Sequence, residues 1–184
     1  YIMTTSTNRN AVVRLDDTRF IFRTNFSGDP ERDRFGSNRR QFNIVIPSDQ
    51  QAHDLEMAGV NVRWTQPNPN YTYEGEFVSR PFVRVNVHLE SKWPPEVYLI
   101  APNGVKTLLT PDTIGVLDNI RVKNVCCQAK MAENRNQPGA YTLYAQYVYV
   151  EQAADPFPDP YAERYTVPEG DTELAPASDD DMPF

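Results

Sequence analysis

Long apolar runs are missing from this sequence. Nothing in it approaches the roughly 20 residues that a membrane-spanning helix needs, and the opening stretch YIMTTSTNRN has no apolar core of the signal-peptide kind. Met3 reads as the natural initiator, with Tyr1 and Ile2 as additions ahead of it. Glycine is modest, at 8 of 184 residues, and the glycine-dependent motifs are missing with it: there is no phosphate loop, no G-x-G-x-x-G and no G-x-S-x-G. Cysteine is confined to the neighbours Cys126 and Cys127, read as two reduced thiols on a strand, one facing in and one out, as suits a reducing compartment. The two histidines, His53 and His88, have no cysteine or carboxylate at ligand spacing. DPERDRFGSNRR imitates the start of a calcium loop through Asp29, Glu31 and Asp33. It then places Arg34 where the loop needs glycine and Arg40 where it needs glutamate. These absences point to a protein without cofactor, metal or catalytic residue.

Proline is plentiful instead, at 16, which argues against long helices. Hydrophobic residues make up 40% of the chain and aromatic residues 11%, enough for the core of one domain. The net charge of −7 conceals a split. Residues 1–150 hold 17 Lys and Arg against 15 Asp and Glu, a net +2, whereas residues 151–184 hold one Arg against ten acidic residues, a net −9. Such asymmetry belongs to nucleic-acid proteins with acidic C-terminal tails, and also to tails that only solubilise.

The body reads as strands of period two. RFIFRTNF (19–26) sets Phe20, Phe22 and Phe26 on one face, and RRQFNIVIP (39–47) does the same with Phe42, Ile44 and Ile46. Phe20, Phe22 and Phe42 are assigned to the core. RPFVRVNVHLE (80–90) aligns Val83, Val85, Val87 and Leu89 against Phe82, Arg84, Asn86 and His88. EVYLIAPNGVKTLLT (96–110) reads as a hairpin turning at Pro102-Asn103-Gly104. IRVKNVCCQAK (120–130) and AYTLYAQYVYVE (140–151) complete the set. Two short helices are expected. One spans 48–59, with Ser48 and Gln51 as a capping box and Gly59 just past its end. The other spans 110–119, with Thr110 as cap and Pro111 in first position. The pattern stops near residue 152, and the proline- and acid-rich remainder reads as disordered.

Arginines and aromatics are the residues left to carry a function. A groove that neutralises phosphates and offers rings for base stacking binds single-stranded nucleic acid, and a guanidinium serves both tasks. The candidates are Arg19, Arg23, Arg32, Arg34, Arg39, Arg40, Arg84, Arg121 and Lys123 for phosphate, and Phe82, Trp93 and Tyr147 for stacking. Tyr141, Tyr147 and Tyr149 fall on one face of the last strand, where alternating tyrosines also serve as half-buried packing residues.

The chain ends in DDDMPF. This closely resembles the C-terminal tip of bacterial single-stranded DNA-binding proteins, an aspartate run followed by an aliphatic residue and Pro-Phe, with Met182 in the place of the usual isoleucine. The resemblance implies a docking peptide. Phe184 would enter a hydrophobic pocket of a replication, repair or recombination protein, and its carboxylate would meet a basic residue. Asp179, Asp180 and Asp181 would lie near further basic residues, and Pro183 would stiffen the approach. The body is similar to small phage-encoded single-stranded DNA-binding proteins with an OB-like barrel. The stretches that carry this are FRTNFSG, RRQFNIVI, GVNVRW, VYLIAPNGVKTLLT and TIGVLDN. It implies a protein that coats single-stranded DNA in the cytoplasm of an infected bacterial cell, away from membranes, with a homo-oligomer compatible with the sequence.

The expectation is therefore an all-β chain: a flexible N-terminus over 1–10, an OB-like β-barrel over 11–151 with two short helices, and a disordered acidic tail over 152–184. A non-catalytic β-sandwich phage protein, structural or adaptor in role with a solubilising tail, is the alternative. A nuclease using scattered carboxylates is the third reading.

Overall fold

A computed structural model describes residues 2–3, 11–67, 70, 78–157, 159–161 and 164. The chain divides into two units, Tyr1–Ala153 and Ala154–Phe184. Among its described residues the first holds ten strands in one sheet: β1 (Ile2–Met3), β2 (Val12–Thr18), β3 (Phe20–Asn25), β4 (Gln41–Val45), β5 (Arg63–Trp64), β6 (Pro81–Asn86), β7 (Glu96–Ile100), β8 (Lys106–Leu108), β9 (Val122–Glu133) and β10 (Tyr141–Gln152). An α-helix, α1 (Asp49–Met57), lies between β4 and β5. The all-β expectation holds.

The sheet runs in the order β1-β2-β9-β10-β6-β4-β3, with β5 on β6 and the β7-β8 hairpin on β10. β6 and β7 both pair parallel to β10, at Leu143 and Tyr144 and at Tyr147–Glu151 respectively. β3, at one end of this path, and β2, next to the other end, are neighbours in the chain, since only Arg19 separates them. The strand bends there. Asp17 adopts a left-handed φ of 52°, and its carboxylate accepts from Asn124 Nδ2 at 3.0 Å. Beyond the bend, Thr18 Oγ1 donates to the Val45 carbonyl and Val45 N–H donates to the Arg19 carbonyl, tying the end of β4 to the corner.

Alternation carries the core. Val13, Leu15, Ile44, Val83, Val85, Val125, Cys127 and Ala129 are buried from successive strands, each large apolar side chain contributing about 1.5–3 kcal/mol. Phe26 stacks on Phe42 with ring centroids 5.1 Å apart, and Phe20 meets both edge-on. Of the vicinal thiols, Cys127 is buried and Cys126 half-buried, as expected. Burial pushes the Cys127 thiol up to about 12 and raises that of Cys126 as well.

Three expectations are corrected. Phe22 is not in the core: it is 63% exposed, with a left-handed φ of 61°. Four steps of β3 from Ile21 to Asn25 face only two of β4, so the extra residues bulge and the alternation breaks. Tyr141 does not share a face with Tyr147 and Tyr149. Burial passes from Leu143 and Ala145 to Val148 and Val150, because the β9–β10 register slips between Ala145 and Tyr147. The second helix is a 3-10 turn over Ile114–Asp118 instead of an α-helix over 110–119, and neither Thr110 nor Pro111 starts it. Thr110 is held in a tight turn by Thr113, which keeps the chain from entering the helix there.

The first helix is close to expectation. Ser48 Oγ accepts from Gln51 N–H at 3.1 Å, but the Gln51 side chain donates to the Arg14 carbonyl and leaves the capping box half made. At its end Gly59 N–H reaches Glu56 and Val60 N–H reaches Leu55, a Schellman closure with Gly59 at φ +100°. Any Cβ on Gly59 would strike the Gly139 carbonyl oxygen, so the helix end seats against the β9–β10 turn only because this residue is glycine. The Pro102-Asn103-Gly104 turn forms as read, with Gly104 at φ +88°. In the segment expected to be flexible, Ile2–Met3 pairs antiparallel with β2. The rest of 1–10, and most of the tail including its DDDMPF tip, lies outside the described residues.

Candidate nucleic-acid interface

The outward face of β4 and β6 carries polar side chains where the inward face is apolar. Asn43 stands opposite Arg84 and Gln41 opposite Asn86 in the antiparallel register. On its other edge β6 is shared, by β5 at Pro81 and Phe82 and by β10 at Val85 and Asn86. A groove of about 220 Å³ opens at this junction, with Arg39, Arg63 and Arg84 on its walls beside Gln41, Asn43 and Asn86. None of the three arginines is ion-paired among the described residues.

Each cation is placed by specific neighbours. Arg63 sits on a two-residue strand held from both sides. It pairs with Phe82, while the adjacent Trp64 indole donates to Glu56 Oε1 of α1 at 2.9 Å. Phe82 itself is buried. It lies under Phe22, whose ring meets it edge-on at 5.1 Å, so Phe22 presents the free aromatic surface beside the groove.

The loop between β3 and β4 supplies Arg39. Asn25, 2% exposed, bonds both ends of this loop: its Nδ2 donates to the Asp29 and Arg39 carbonyls and its Oδ1 accepts from Asp29 N–H. Asp118, whose side chain is 2% exposed, accepts from Thr24 Oγ1, Phe26 N–H and Ser27 N–H at 2.8–2.9 Å and faces Arg32 at 3.6 Å. Arg32 also donates to the Thr24 carbonyl at 2.9 Å, and Arg40 to the Phe26 carbonyl at 2.6 Å. At the loop tip the Asp33 carboxylate accepts from Phe35 N–H, Ser37 N–H and Ser37 Oγ. The Ser37 hydroxyl is the main reason the Asp33 carboxyl is held below its usual range, with the Arg84 charge adding to it. The turn projects Phe35, 84% exposed, with Arg34 5.8 Å over its ring.

The expected binding residues therefore separate. Arg39 and Arg84 meet in the groove, and Arg34 stands on the loop tip. Arg19 and Arg23 are exposed along the β2–β3 segment. Arg32 and Arg40 are committed to holding the loop. Trp93 is exposed between β6 and β7. Arg121 and Lys123 lie at the start of β9, beside Gln152. At about 3.3 Å per strand residue, that puts them roughly 30 Å along β10 from the groove. Tyr147 is 44% exposed midway. Three residues stand at or near the groove and loop without a sequence expectation to match. Arg63 belongs to a strand too short to show a period, alternation turns Phe22 inward, and Phe35 carries a readable signal, an aromatic beside an arginine in a polar loop. Among the described residues no cluster of metal-ligating side chains occurs and no helix is long and apolar enough to cross a membrane.

Fold and groove together define an all-β protein with a cationic, ring-flanked cleft on its sheet. No protein-family model matches the chain, and no curated protein matches it significantly. Among solved structures it is similar to the single-stranded DNA-binding protein from bacteriophage Enc34, at 9% identity over 87% of this chain and 94% of that one, with a TM-score of 0.44. It is also similar to a C-terminal truncation of that protein, at 9% identity over 85% and 98%, with a TM-score of 0.45. Similarity at this level assigns no function.

Proposed function

We propose that residues 11–151 form an OB-like barrel that binds single-stranded DNA without base specificity, and that the C-terminal tip recruits replication, repair or recombination proteins of a phage-infected cell. The observation that carries the first part is the convergence of Arg39, Arg63 and Arg84 on one groove, beside the exposed Phe22 ring. The strand pairing supports it. The bent segment 12–25 pairs with β9 at one end and β4 at the other, and β6 runs parallel to β10, an order compatible with barrel closure. Counted that way, β4 and β6 are the second and third strands and 26–40 is the first loop, the surfaces that OB folds use for oligonucleotides. Lys or Arg at phosphate, amide side chains that both donate and accept, and rings that accept any base give affinity without a sequence code. The second part rests on DDDMPF alone.

Two assays test the two parts. Fluorescence anisotropy with labelled dT16 should show binding at low salt, unchanged within a few-fold for other base compositions, and about tenfold weaker for Arg84→Ala, the loss expected for one charged hydrogen bond. Removal of Phe184 should leave this affinity intact while abolishing capture of replication or repair proteins from bacterial lysate. Absence of dT16 binding sinks the first part, magnesium-dependent cleavage of the oligonucleotide favours a nuclease, and equal capture with and without Phe184 sinks the second.

A further inference from the structure

The outward face of β10 does not end at the groove. Thr142 lines the groove. Tyr144 follows, its ring 6.4 Å from His88. The slip in register then brings Tyr147 and Tyr149 to the same outward side. Beyond them β7 adds Tyr98, directly opposite Tyr149 in the parallel pairing, with the two rings stacked at 4.7 Å and 26°. Lys106 of β8 reaches back over this pair, its Nζ 4.5 Å from the Tyr98 centroid and 5.5 Å from that of Tyr149.

Two features separate this cluster from ordinary surface packing. The tyrosine pair is fixed from several sides, since Tyr98 Oη donates to Glu96 Oε1 at 3.0 Å while Lys106 covers the rings. Tyr147, opposite Glu96, is left 44% exposed beside a wall that does not have to reorganise to receive a ligand. A pre-ordered aromatic wall with a free ring and a cation is what a stacked nucleobase and its phosphate require.

We propose that Tyr147, backed by Tyr98 and Tyr149 and assisted by Lys106, is a second contact region for single-stranded nucleic acid, so that the strand leaves the arginine groove and runs along β10. The inference rests on the reading of the groove as a single-strand site. The separation fits a single bound strand: seven residues from Thr142 to Tyr149 at about 3.3 Å each span roughly 23 Å, within the reach of sites of about 4–16 nucleotides. Glu96 and Glu151 lie on the same stretch, so stacking on Tyr147 supplies most of the contact and Lys106 adds a modest attraction for phosphate.

A length series tests it. The full chain is titrated with dT6 and dT16, as is each of Tyr147→Ala, Tyr147→Phe and Lys106→Gln. Tyr147→Ala should weaken dT16 binding about tenfold and leave dT6 unchanged, and Tyr147→Phe should keep the unaltered affinity for both. Lys106→Gln, on an exposed edge strand, should lower the salt dependence for dT16 alone. Equal losses for dT6 and dT16, or no loss for either in both Tyr147→Ala and Lys106→Gln, overturn the second region while leaving the groove standing. Failure of the unaltered protein to bind either oligonucleotide overturns the groove reading and this inference with it.

Discussion

Phe22 is an expensive residue where it stands. A bulky side chain in the left-handed region costs about 1–2 kcal/mol that glycine would avoid, and the ring is mostly in water. Its edge-on contact with Phe82 returns about 0.5–1.5 kcal/mol, so the fold gains little from keeping it. A ring held against its own backbone preference, over the groove-lining Phe82, fits a ligand contact on the proposed reading. Phe22→Gly should therefore leave the thermal midpoint within a few degrees of the unaltered protein, because strain relief and lost contact nearly cancel. The same change should weaken dT16 binding about tenfold, within the roughly 1–3 kcal/mol of one stacking ring. A large fall in midpoint with DNA affinity retained would return Phe22 to a structural role.

At the scale of elements, the loop over 26–40 decides what the groove can do, and it is held from far away in sequence. Asp118 gathers Thr24, Phe26, Ser27 and Arg32 onto one carboxylate. Asp118→Ala strands the Thr24, Phe26 and Ser27 donors and removes the counter-charge of the partly buried Arg32, which costs about 3 kcal/mol and, for a domain of this size, lowers the midpoint by about 10 °C. Differential scanning calorimetry reads this directly, and an unchanged midpoint would mean that the clamp does not hold the loop. The clamp also explains what could be read from the sequence. Alternation was enough to place Phe42 and Ile44 on β4, and Val83 and Val85 on β6, and to find the 102–104 turn and the Ser48 cap, because these signals are local. Arg32 and Arg40 looked like their neighbours Arg34 and Arg39. Their partners, Asp118 and the Phe26 carbonyl, are fixed only by the folded chain, so no spacing rule separates the arginines that stay free of such contacts from those that brace the loop. Register slips hid Phe22 and turned Tyr141 away from Tyr147 for the same reason: period two persists only while the strands stay in step.

For the whole molecule, charge sets the terms of the proposed binding. Residues 1–150 carry only +2 and residues 151–184 carry −9, so net charge does not draw DNA to the protein. On the proposed reading, affinity has to come from cations concentrated at one place, and Arg39, Arg63 and Arg84 line one groove. The most direct measurement is the slope of log affinity for dT16 against log salt, for the full chain and for the Arg39→Ala, Arg63→Ala, Arg84→Ala triple variant. Three phosphate contacts at about 0.7 counterions each should make the variant's slope shallower by about 2. A slope that stays the same while the variant remains folded would contradict the account and place the DNA elsewhere on the protein.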